Sequence, residues 1–169
     1  MAANLVLRLT GGASNTDPNA SLGGVMSSTE LQDGVLNNLY DNVSPEEASS
    51  GITDYRALDV YNAGDATSTS VSIFLSSETP SSDTSIDLGY DSANSPHASD
   101  ASLPTIADET TEPTDGTNPI SFSHYTSSTK LSLPDIPAGQ AVRIWVKRIV
   151  TAGATNMSGD NFTIRVDFA

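Results

Sequence analysis

The chain has 169 residues, 21 acidic against seven basic, a net charge of −14, no Cys and only two His, His97 and His124. That composition excludes a disulfide framework, a Cys-type zinc cluster and thiol catalysis. An acidic balance this strong also excludes coating nucleic acid or an anionic membrane through the net field. Solubility rests on hydroxyls, with 25 Ser and 18 Thr against a charged fraction of 17%, and hydroxyl-rich chains with β-branched runs lean towards β structure.

In chain order, Leu5, Leu7 and Leu9 open a first strand, and residues 11–24 (GGASNTDPNASLGG) read as irregular. Ser44-Pro45-Glu46-Glu47 predicts one short helical turn: Ser as N-cap, Pro at the first helical position and Glu47 closing a capping box, ended by Ser49, Ser50 and Gly51. Residues 55–62 (YRALDVYN) are apolar on both faces and predict a central strand. Val71, Ile73 and Leu75 alternate with Ser70, Ser72 and Ser76, and Ile86, Leu88 and Tyr90 with Asp87, Gly89 and Asp91, so each run predicts a strand with one face in a core. Residues 92–119 hold Pro96, Pro104, Pro113 and Pro119 and five acids, and predict a surface loop or flexible arm outside the core. Residues 141–150 (AVRIWVKRIV) predict a second two-faced strand, and Phe162, Ile164, Val166 and Phe168 a last alternating one. Strands at short spacing with polar turns predict a single all-β domain over 1–169, an antiparallel β-sandwich or small barrel with long irregular loops.

No segment approaches the roughly 18 apolar residues of a membrane span, and the apolar run near Met1 is too short for a signal-peptide core. Synthesis in the cytoplasm without export is the expectation.

Chemistry finds little support. Neither His lies in a motif; His97 falls in the Pro-rich loop and His124 beside Phe122 and Tyr125 on an edge, and no nucleophile elbow or phosphate loop occurs. Asp83, Asp87 and Asp91 are spaced by four, so at strand rise each lies about 13 Å from the next, too far to share one ion directly, although a weak calcium site using loop carbonyls stays open. No catalytic residue, cofactor or obligatory metal is expected.

Charge is uneven. Residues 1–129 hold 18 acids and two bases, a net of −16, whereas residues 130–169 hold three acids and five bases, a net of +2. In the strand at 141–150 the even positions form an apolar face with Arg148 near one end. The odd positions place Trp145 between Arg143 and Lys147, and a hairpin with the last strand adds Arg165 to that face. Arg143, Trp145, Lys147 and Arg165 are therefore candidates for a subunit interface, an aromatic anchor among cations. The other arrangement puts Trp145 under a second layer with the basic stems passing over it.

Three stretches, 7–29 (LRLTGGASNTDPNASLGGVMSST), 51–64 (GITDYRALDVYNAG) and 136–154 (IPAGQAVRIWVKRIVTAGA), resemble small virion structural proteins of tailed bacteriophages. The resemblance implies a non-enzymatic late protein located in the virion, most simply a head decoration or cement protein. Such a protein binds the assembled capsid lattice and stabilises it by mass action. Its implied partners are other virion proteins, the major capsid protein first, and further copies of itself as a homo-oligomer. A neck, tail or baseplate component is the nearest alternative. A glycan-binding β-sandwich module, with Tyr55, Tyr61 and Trp145 as stacking residues, is the alternative of another class.

Overall fold

The computed structural model describes residues 1–169. Eleven strands run in the order β1 (Leu5–Thr10), β2 (Gly23–Gly24), β3 (Met26–Glu30), β4 (Ile52–Asn62), β5 (Ser72–Glu78), β6 (Thr84–Tyr90), β7 (His97–Ala98), β8 (Leu103–Thr105), β9 (Leu131–Ser132), β10 (Gln140–Val150) and β11 (Phe162–Asp167). One short helix, α1 (Pro45–Ser50), lies before β4. It carries the capping box its sequence predicts: Ser44 Oγ accepts from the Glu47 amide at 3.3 Å, and Glu47 Oε2 accepts from the Ser44 amide at 2.7 Å.

The larger sheet is antiparallel in the order β3-β1-β4-β10-β6, with β7 also paired to β10. The smaller sheet is β11-β5-β9. The two close on one another as a sandwich. The even positions of β4 and β10 (Leu58, Val60, Val142, Ile144, Val146) meet Ile73 and Leu75 of β5, with Leu9, Ile86, Leu88 and Ile136 filling the space between. Period-2 alternation forces this, because one face of each strand is apolar and only a second layer can take it out of water.

The other face of the larger sheet differs from expectation. Residues 92–119 are not an arm held outside the core. Together with 18–22 and 120–122 they lie across the odd positions of β4 and β10. There Tyr55, Ala57, Trp145, Ile106 and Ile120 form a second buried cluster, flanked by Leu22 and Phe122. Leu103 and Ile106, the largest apolar residues of that segment, are both buried. Polar side chains hold its irregular path. Asp91 accepts from Asn94, Asp108 from Thr110 and Thr111, and Asp115 from Thr117 and Asn118. The same Asp, Thr and Asn content that suggests a solvated loop therefore builds local turns.

Backbone also joins the cover to the sheet. Beyond the end of β1, the exposed edge of β4 is completed by Ser21, whose carbonyl accepts from the Ala57 amide at 2.7 Å. Glu109 follows, its carbonyl accepting from the Tyr55 amide at 2.8 Å. On the far side the chain crosses β6 so closely that a Cβ on Gly89 would lie 2.5 Å from the Ser121 carbonyl oxygen and 2.8 Å from Ile120 Cγ2. A glycine inside a strand marks such an approach. Gly89→Ala is expected to lower stability by about 1–3 kcal/mol, as overpacking does, measurable by urea denaturation.

Candidate functional site

The four interface candidates do not share a surface. Arg143 and Trp145 are 0% and 1% exposed. Trp145 stands in register between Ala57 of β4 and Gly89 of β6, two small neighbours that leave room for the indole. Lys147, between Tyr55 and Asp87 in register, lies half-buried with its ammonium 5.6 Å from the Phe122 ring. Arg165 belongs to the smaller sheet, because β11 pairs with β5 and forms no hairpin with β10. Its side chain is 64% exposed and bonds Asp167 within its own strand, Nε to Oδ1 at 2.7 Å. The arrangement with Trp145 under a second layer is the one found, and the covering layer is the 92–122 segment.

The buried arginines have partners that the sequence pattern did not pair. Arg143 lies opposite Asp59 across the β10–β4 ladder. Its Nε donates to Asp59 Oδ1 at 2.8 Å and its Nη2 to Oδ2 at 3.0 Å, and Nη2 also donates to the Gly24 carbonyl at 2.9 Å. His97 is no exposed loop residue. It is buried, with Nε2 3.1 Å from Asp59 Oδ1 and Nδ1 2.9 Å from the Ala98 carbonyl. Burial alone would push the Asp59 carboxyl up, but the His97 contact and the Arg143 charge outweigh it and hold it below the ordinary value.

A second network closes the other end of β4. Arg148 grips Asp54, Nε to Oδ1 at 3.0 Å and Nη2 to Oδ2 at 2.6 Å, and Arg56 Nη2 donates to Glu109 Oε2 at 2.6 Å. Both guanidiniums lie over the buried Tyr40 ring, 4.5 and 5.2 Å from its centroid. Asp41, Asp54 and Glu109 bring carboxylate oxygens within 4.8 Å of one another, close enough to hold a metal ion. Arg56 and Arg148 already stand among them, 4.0 and 3.6 Å from Asp41 Oδ1, so two protein cations offset two of the three carboxylate charges. Burial pushes the Asp54 carboxyl up, with the Arg148 hydrogen bond pulling the other way.

The Asp83, Asp87 and Asp91 series divides into separate tasks. Asp83 accepts from Thr155, Asp87 lies 3.9 Å from His124 Nδ1, and Asp91 holds the Asn94 turn. His124 Nδ1 bonds the Ile86 carbonyl at 2.8 Å and its Nε2 lies 3.1 Å from Glu78 Oε2. It stands in an open polar cleft of about 370 Å³ lined also by Thr79, Ser81, Thr84 and Ser85.

Outside those internal pairs the same net charge of −14 is carried with few cations. Of seven cations and 21 acids, Arg56, Arg143 and Arg148 pair inside with Glu109, Asp59 and Asp54, leaving four cations against 18 acids. An apolar loop interrupts this acidic surface. Val35 and Leu36 are 54% and 82% exposed, beside a groove of about 240 Å³ lined by Leu9, Pro18, Leu31 and Glu30. Sequence pattern missed this loop, since VL between Gly34 and Asn37 has neither strand nor helix period; its one signal is an apolar pair in an otherwise polar turn. Of the sugar-stacking candidates, Tyr55 and Trp145 are buried and Tyr61 carries the Arg8 guanidinium 4.3 Å from its ring centroid, so they offer no shared aromatic platform.

No helix is long and apolar enough to cross a membrane. No family model, no curated protein and no solved structure matches the chain.

Proposed function

We propose that the protein is a non-enzymatic structural component of a tailed-phage particle, a head decoration or cement protein that binds the assembled capsid lattice and stabilises it. The observation that supports this reading is the Val35–Leu36 loop. It is an exposed apolar projection beside an apolar groove, on a sandwich whose charged interior is already internally paired. The groove rim carries Glu30 and the adjoining turn Asp33, both exposed, and none of the groove-lining residues is Lys or Arg. It therefore suits a capsid subunit that presents an apolar side chain flanked by basic residues. Binding only the assembled lattice shifts the equilibrium towards assembly in proportion to affinity and concentration.

The test mixes the protein with particles assembled without it. Wild type is expected to bind in many copies per head. Leu36→Asp is expected to weaken binding by about 30-fold or more, the scale of an interface hot spot, with unchanged thermal unfolding because the side chain is solvent-exposed. Wild-type occupancy for Leu36→Asp would reject the loop as the contact, and labelling confined to the neck or tail would reject the head assignment.

A further inference from the structure

Sheet edges are sites of association unless they are covered. Two edges of this sandwich are. On β3, Ser28 bonds the Ala13 carbonyl through both its amide and its hydroxyl. On β6, Leu88 and Ser123 exchange backbone bonds at 3.0 and 3.1 Å. The β11 edge is different. Ala169 and Thr69 exchange both backbone bonds, at 2.8 and 3.0 Å, and the Asn161 carbonyl accepts from Thr79. Strand alternation then directs the backbone of odd residues at β5 and that of Ile164, Val166 and Phe168 away from the sheet. β11 is the end strand of its sheet, so those outward groups meet no neighbouring strand.

We infer that β11 is a homodimerisation strand, pairing antiparallel with β11 of a second copy about a two-fold axis at Val166. The side chains specify this register. Val166 faces its own copy and Ile164 faces the partner's Phe168. Ile164 and Val166 pack half-buried on the main core, and Phe168 is 43% exposed, so pairing covers an apolar flank the single chain leaves partly open. On the opposite face Arg165 meets the partner's Asp167, and the symmetry repeats that pair. Moving the axis to Arg165 sets Arg165 against itself, like charges directly opposite, which is unfavourable. Moving it to Ile164 brings Phe168 against Asp160. Charge is also locally offset at this edge, because Lys130 and Arg165 both stand at Asp167.

The inference concerns the protein alone and stands apart from any role in a particle. Sedimentation of the full chain over a concentration series is expected to show monomer and dimer. The dimer should strengthen with salt as repulsion between bodies of charge −14 is screened. Hydrogen exchange at Ile164, Val166 and Phe168 should slow as concentration rises. Arg165→Asp and Asp167→Arg are each expected to weaken the dimer about tenfold or more, and the double substitution Arg165→Asp/Asp167→Arg to restore it. A monomer at every concentration to about the millimolar range, or a dimer in which the Val166 amide stays unprotected, would overturn the inference. So would a double variant no better than the singles. The exchange measurement uses the wild-type chain, so the outcome stands even where a variant fails to fold.

Discussion

Trp145→Ala is expected to destabilise the protein by about 3–5 kcal/mol, the range for removing a fully buried Trp. The indole is the largest fully buried side chain and the centre of the second core, where Tyr55, Ile106 and Ile120 surround it. Ala57 and Gly89 on the flanking strands cannot close the space, because neither has a side chain beyond Cβ. The loss should therefore act on the covering segment as well as on global stability. Amides bonded between cover and sheet, those of Tyr55 and Ala57, should exchange faster than amides on the β5–β11 ladder. Thr163→Ala, on an exposed strand position, serves as a control within about 0.5 kcal/mol of wild type. A stable, fully folded Trp145→Ala protein would mean that the 92–122 cover contributes little to the fold.

The strands were legible because alternation is a local property. The runs at Val71–Leu75, Ile86–Tyr90 and 141–150 each show which residues share a face, and those residues do share one in the structure. What alternation cannot show is which layer covers a face. The odd side of β10 reads equally as an outward basic patch or as a buried one, and the decision rests on Ile106 and Ile120, well upstream of Trp145 and outside any strand paired with it. Gly89 carried the missing signal: a glycine within Ile86–Tyr90 is where another backbone passes, and Ile120 and Phe122 are the apolar residues that pass there. The charge asymmetry misled for a related reason. Arg143 and Arg148 make the C-terminal segment look basic, yet each is neutralised by an Asp of β4 that lies opposite it only after the ladder forms. The groove beside Leu36 had no periodic signal at all, since a projecting turn obeys neither the strand nor the helix repeat.

Asp59→Asn is the substitution expected to expose that hidden electrostatics most clearly. It should cost about 3–5 kcal/mol at neutral pH, because it leaves Arg143, itself 0% exposed, as an uncompensated buried charge. Asn keeps the shape and one acceptor, so the loss is chiefly that of the negative charge shared between Arg143 and His97. The pH dependence has a definite sign. The Asp59 carboxyl is held below its ordinary value in the folded chain. Its contribution is therefore fully present above the unfolded value of about 4 and is lost as pH falls through the lower folded value. Urea denaturation from pH 7 down to pH 3 should show wild type losing stability over that acid range and Asp59→Asn losing less. Asp54 runs the other way: burial raises its carboxyl, so its contribution is present below the unfolded value of about 4 and fades as pH rises through the higher folded value. Asp54→Asn should accordingly cost less at neutral pH than Asp59→Asn, although both face an arginine. Adding Arg143→Met to Asp59→Asn should recover much of the loss, since a buried ion pair replaced by apolar groups is often close to neutral. If the double variant stays as unstable as the single one, the charge pair is not the cause, and the bond from Arg143 Nη2 to the Gly24 carbonyl, which ties β10 to the residues of β2, carries the stability instead.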